Sequence, residues 1–242
     1  MGVIKKAGRK KVHAICPVIL LLDTSGSMGW PEDDPPIKYV NEAIRGVLQY
    51  LFEANKTGAA KEVDFKVAIL TFDTKAEWAT GSDDLVNPSQ YFEKDPNDPE
   101  APEKCTWQDL EAGGYTQIGD AFAKLEAKLH NGLATDGSGN SFINGVAGNT
   151  APVIFLLSDG EPTDPESYPA SLDKLKENKW YKVAVTASVG YGPECDDKVL
   201  KEFLNDKDYS AKEVIHSNDP KELSASIKKI VIRSSQVASQ TV

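Results

Sequence analysis

Val18-Ile-Leu-Leu-Leu-Asp-Thr-Ser-Gly-Ser-Met28 is the stretch on which the reading of this chain turns. Val18 to Leu22 are consecutive apolar residues, too few for a lone helix, set between Pro17 and a turn-rich cluster at 23–29. Such a run reads as a strand buried on both faces, as in a parallel sheet. The strand then ends in oxygen-bearing side chains. Asp23, Ser25 and Ser27 alternate with Thr24, Gly26 and Met28, and in a tight loop opened by Gly26 and Gly29 this alternation turns three oxygens toward one point. Hard cations are gripped in that way.

Working outward, Val153-Ile-Phe-Leu-Leu157 repeats the pattern and also ends in a polar loop, Ser158-Asp159-Gly160-Glu161-Pro162-Thr163-Asp164. Between the two runs, Ile37, Val40, Ile44, Val47, Leu48 and Leu51 form one helical stripe that ends near 55–58. Phe65 to Phe72 read as a strand, with 75–80 returning antiparallel at an edge. Gly113-Gly114-Tyr115-Thr116 opens a helix with Ile118, Phe122, Leu125 and Leu129 on its apolar face and Thr116 at the N-cap position. Past the second run come a helix near 170–178, a strand 182–189, a helix near 196–204, a short strand 213–216, and a last helix bearing Leu223, Ile227, Ile230 and Val231. Strands alternating with helices predict an α/β fold: a doubly wound, mostly parallel central sheet with helices on both faces and one antiparallel edge strand.

Three stretches stand apart. Residues 30–36 form a proline-bounded insertion; 81–111 carry nine acidic and two basic residues with several prolines and are expected to be loop rather than core; 131–149 read as a flexible Gly/Ser/Asn insertion. The expected organisation is a basic N-terminal arm over 1–11, one α/β domain over 12–233 and a C-terminal tail over 234–242. The basic arm before Val12 imitates a signal peptide, yet no small-residue cleavage site follows it.

The 242-residue chain carries a net charge of −10, which argues against a nucleic-acid partner because phosphate contacts need clustered Lys and Arg. No run approaches the ~20 apolar residues of a membrane helix. Cys16, Cys105 and Cys195 show no paired spacing, so neither a disulfide framework nor a zinc knuckle is expected, and a reducing cytoplasm fits. They read as small buried hydrophobes. His13, His130 and His216 have no Ser, Cys or carboxylate partner at a recognisable spacing. Trp30 and Trp78 are candidate partner anchors.

In open α/β sheets, ligands bind beyond the carboxyl ends of the strands where the connections diverge. If the two apolar strands are neighbours, Asp23 and Asp159 converge there with Ser25, Ser27 and Thr116. Two carboxylates and three hydroxyls suit Mg2+ or Mn2+, which take about six oxygens at roughly 2.0–2.1 Å, some from water.

Asp23-Thr24-Ser25-Gly26-Ser27, with Thr116 after Gly-Gly and Asp159 in Ser-Asp-Gly, resembles the metal-ion-dependent adhesion site (MIDAS) of von Willebrand factor A domains over roughly residues 12 to 233. Asp159-Gly-Glu-Pro-Thr-Asp164 and Val189-Gly-Tyr-Gly192 are similar to bacterial tellurite-resistance-type members. The resemblance implies Ser25, Ser27 and Thr116 as direct ligands, Asp23 and Asp159 as anchoring carboxylates, and an open coordination position for an acidic side chain of a protein partner, in a stress-response system. A non-enzymatic, metal-dependent interaction module is therefore expected. The rival is a metal-dependent phosphohydrolase using Asp23. Haloacid-dehalogenase-like enzymes need a second Asp two residues on, where this chain has Ser25. A structural part of a pore or filament, its loops stiffened by the metal, is a third reading. Glu161 and Asp164 read as loop charges or a helix cap.

Overall fold

The computed structural model describes residues 14–58, 63–81, 84–98, 100–130, 150–159, 162–191, 195–207, 210–216 and 219–238. The arm at 1–11, Val12, His13, the 131–149 insertion, Gly160, Glu161, Gly192 and the tail beyond 238 lie outside them.

The runs that opened the analysis are the central strands. β1 (Ala14–Asp23) lies between β2 (Val63–Phe72) and β6 (Val153–Ser158), parallel to both. The six-stranded sheet has the order β3-β2-β1-β6-β7-β8, with β7 at Val185–Gly190 and β8 at Ile215–His216. Only β3 (Ala76–Trp78), an edge strand, runs antiparallel. β4 (Phe92–Glu93) and β5 (Lys104–Cys105) form a separate small hairpin.

Alternation along β1 divides the core. Val18, Leu20 and Leu22 pack on α1 (Pro36–Thr57) and α6 (Pro220–Ala238), through Val40, Ile44, Leu48, Ile227 and Val231. Ile19 and Leu21 face the opposite layer of α2 (Ile118–His130), α3 (Tyr168–Glu177) and α5 (Asp197–Phe203), meeting Phe122, Leu125, Leu172 and Leu175. Each fully buried aliphatic side chain contributes about 1.5–3 kcal/mol of transfer free energy, so both faces of this strand must stay covered. α1 opens with Pro36 at its first turn and stops at Gly58, whose φ of 64° lies in the left-handed region.

Several expectations are corrected. The acidic 81–111 stretch supplies core after all: Leu85, Phe92 and Trp107 are buried, and Phe92 stacks on Phe52. Lys182 belongs to a short helix, α4 (Lys179–Val183), so β7 begins only at Val185. Thr116 is not the N-cap of α2, which starts two residues later. The Asp164 carboxylate instead accepts the Gly119 N–H at 2.9 Å. The last helix continues to Ala238, past the expected start of the tail.

Candidate metal centre

The strand order puts a topological switch point between β1 and β6. β1 ends in Asp23 and β6 in Ser158, with Leu22 and Leu157 in register immediately before them. Asp23 is fully buried. Its Oδ1 accepts the Ser25 N–H at 2.8 Å and its Oδ2 accepts the Ser158 hydroxyl at 2.5 Å. After Asp23 the chain folds into a 3-10 turn (Gly26–Gly29) that holds the Ser25 and Ser27 hydroxyls 3.0 Å apart.

Three loops are laced together around this turn. The Thr24 N–H donates to the Phe72 carbonyl at 2.9 Å, binding the β1 loop to the end of β2. The Gly26 N–H donates to the Gly114 carbonyl at 3.1 Å, and the Gly113 N–H donates to the Thr24 carbonyl at 2.8 Å. Gly114 has a φ of 78°, and a side chain there would strike Thr74 Oγ1 at 2.5 Å. Thr116 follows, 5% exposed, its N–H donating to Thr163 Oγ1 at 3.0 Å and its carbonyl accepting the Thr163 N–H at 3.0 Å. Backbone bonds therefore join the loop carrying Thr116 to the Asp23–Ser27 loop on one side and the loop after Asp159 on the other.

Electrostatics single out Asp23. Burial, followed by the neighbouring Asp159 charge, pushes its carboxyl up to about 7, and the Ser158 and Ser25 hydrogen bonds offset part of that rise. Among the described residues no Lys or Arg is bonded to Asp23. A buried carboxylate facing a second carboxylate, with hydroxyls beside them, is a donor set that suits a hard divalent cation, whose charge would remove the repulsion.

The rim carries exposed aromatics. Trp30, three residues beyond Ser27, is 70% exposed, and Tyr115, one before Thr116, is 64% exposed. Trp78 is instead partly buried against the core.

Sequence reasoning missed the supports of this site. Ser158 and Thr163 were visible only as members of the polar loop after the second apolar run, whereas Asp164, read as a loop charge or a helix cap, does cap a helix, accepting the Gly119 N–H of α2. Sequence reasoning also missed a second group: Cys195, Asp197 and His216 have potential ligand atoms all within 4.8 Å of one another. No sequence spacing marks a partner for His216, but the fold supplies one: its Nε2 lies 3.0 Å from Asp197 Oδ1. His130 likewise sits 3.7 Å from Glu126. Cys16 is buried as expected, but Cys105 and Cys195 are only partly so. Burial, then the charges of Asp197 and Asp159, push the Cys195 thiol up to about 12, which favours the protonated thiol at neutral pH.

No family model and no curated protein matches the sequence. Solved structures do resemble it. Proximal thread matrix protein 1 from the mussel byssus, with zinc in its MIDAS motif, aligns with a TM-score of 0.54 at 13% identity, over 91% of this chain and 48% of its own. The manganese-loaded TRAP protein of Plasmodium vivax aligns with a TM-score of 0.57 at 16% identity, over 91% and 74%. The PilB minor pilin of Streptococcus sanguinis aligns with a TM-score of 0.56 at 14% identity, over 96% and 64%. This chain spans about half the length of the mussel protein. Likeness at such identities shows the fold alone, and that fold is the von Willebrand factor A type.

Proposed function

We propose that this chain is a metal-dependent protein-interaction module. Asp23, Ser25, Ser27, Thr116 and Asp159 hold one Mg2+ or Mn2+, and the remaining coordination position takes an acidic side chain from a partner. The Asp23 carboxylate, raised first by burial and then by the charge of its neighbour Asp159, and backed by paired hydroxyls, carries the reading. The metals named for the mussel and Plasmodium neighbours support divalent-cation binding in this fold. Trp30 and Tyr115 support a protein partner, because exposed aromatics beside a cation site supply apolar contact around a polar centre. The functional unit is residues 12–233. Placement in a tellurite-type bacterial stress system rests on the sequence resemblance at 159–164 and 189–192.

The phosphohydrolase reading is weaker. Asp23 is buried beneath two hydrogen bonds, and the position two residues on is a hydroxyl rather than an acid. A direct test loads the protein with Mn2+ and titrates it with a glutamate-bearing peptide while following water proton relaxation. Displacement of metal-bound water, lost in Asp23→Ala, supports the module; unchanged relaxation at saturating peptide contradicts it.

A further inference from the structure

We propose that Cys195, Asp197 and His216 form a second metal site, selective for a borderline cation of the Zn2+ class and distinct from the oxygen-lined centre. The three residues come from separate places: Cys195 precedes α5, Asp197 is its first residue, and His216 ends β8. Their assembly depends on the sheet. β7 and β8 pair so that Gly190 lies beside His216, and the missing side chain at 190 makes the room. A Cβ there would stand 2.7 Å from Cys195 Sγ and 2.8 Å from His216 Cε1. Any larger residue would push the thiol and the imidazole off the strand.

The spacing suits tetrahedral coordination. Zinc bond lengths of about 2.3 Å to sulfur and roughly 2.0–2.2 Å to nitrogen and oxygen imply ligand separations of about 3.4 Å for N–O and about 3.6 Å for S–O. Here His216 Nε2 is 3.0 Å and Cys195 Sγ is 4.0 Å from the same Asp197 oxygen, Oδ1. The third pair, Cys195 Sγ and the His216 nitrogen, lies within 4.8 Å, against roughly 3.6 Å in a tetrahedral zinc site, so binding draws the thiol inward. The other oxygen, Oδ2, is 3.3 Å from Lys201 Nζ, which orients the carboxylate without covering Oδ1. His216 is half-exposed, giving an ion a route in. Sulfur, nitrogen and oxygen together select against Mg2+ and Ca2+. Three protein ligands also leave a fourth position for water or an external donor.

This site would act on the first one. The Asp196 N–H donates to the Asp159 carbonyl at 2.9 Å, so a cation held at 195 and 197 anchors the loop that carries Asp159.

Because zinc also suits a MIDAS, zinc uptake alone does not discriminate. The experiment therefore adds Co2+ to Asp23→Ala protein and, as a parallel arm should that variant fail to fold, to wild-type protein saturated with Mg2+. The expected result is a near-ultraviolet thiolate-to-cobalt charge-transfer band, which oxygen ligands cannot give, saturating at one equivalent and displaced by Zn2+. Cys195→Ser should abolish the band, and His216→Gln should weaken Zn2+ binding by more than about a hundredfold, since even the outer partners of metal ligands are worth about 10–100-fold. Absence of the band in both arms, or a band that survives Cys195→Ser, overturns the proposal. The oxygen-lined centre is judged separately by Mg2+, so the two readings fail independently.

Discussion

The Ser158 hydroxyl donates to Asp23 Oδ2 and ties the carboxyl ends of β1 and β6 at the point where the sheet's connections diverge. This bond stabilises the ionised carboxylate in a buried setting, where charge-assisted hydrogen bonds are at their strongest. Ser158→Ala should therefore weaken Mg2+ binding at neutral pH about tenfold, corresponding to about 1.4 kcal/mol. Calorimetric titration of the folded variant checks this. Unaltered affinity would mean that Asp23 is held by other means.

The raised Asp23 carboxyl makes a signed prediction for the metal-free protein. Its folded value of about 7 exceeds the ~3.9 expected of an unfolded Asp, so between these values the native state binds more protons than the unfolded state. The contribution is complete below about pH 4 and is lost as pH rises through 7, on the order of 4 kcal/mol in all. In chelator, urea unfolding should show wild-type stability falling from pH 5 to pH 8 relative to Asp23→Asn, and Mg2+ should restore much of it at pH 8. Parallel profiles for the two proteins would contradict a carboxyl raised by burial and by the neighbouring Asp159 charge.

Gly114 and Gly26 make the close approach that joins the Thr116 loop to the Ser25 turn. Gly114→Ala forces a side chain into the left-handed region and against Thr74. The expected cost is at least about 1 kcal/mol. Metal affinity should fall with it, while far-ultraviolet circular dichroism stays unchanged.

Asp164 caps α2 from across the site, its carboxylate also accepting the Ser167 hydroxyl at 2.8 Å. Asp164→Ala should lower stability by about 1–2 kcal/mol, a drop in Tm of roughly 2–8 °C. A differential scanning measurement with no drop would show that the Gly119 N–H finds another acceptor.

What was legible follows from physics. Val18–Leu22 and Val153–Leu157 announced central parallel strands because only a strand covered on both faces is apolar at every position, and the α1 stripe carried several full helical periods. α4 was illegible because Lys179–Val183 is barely more than one turn and is set by the Asn178 side-chain cap. Leu85, Phe92 and Trp107 are single apolar residues scattered through an acidic stretch, and their burial depends on tertiary packing that no period encodes. Of the candidate site, the Asp23–Ser27 loop and Asp159 could be read from alternation and strand ends. Cys195, Asp197 and His216 could not, since the β7–β8 register alone brings them together.

The central claim is that five oxygen-bearing residues hold one hard cation. Its most direct test is calorimetric titration of chelator-stripped protein with Mg2+ and Mn2+, set beside Asp23→Ala and Thr116→Ala, with circular dichroism confirming that the variants fold. The account predicts one saturable site in the wild type, absent from Asp23→Ala and weakened in Thr116→Ala. No saturable site in the wild type, or full affinity in folded Asp23→Ala, would contradict it.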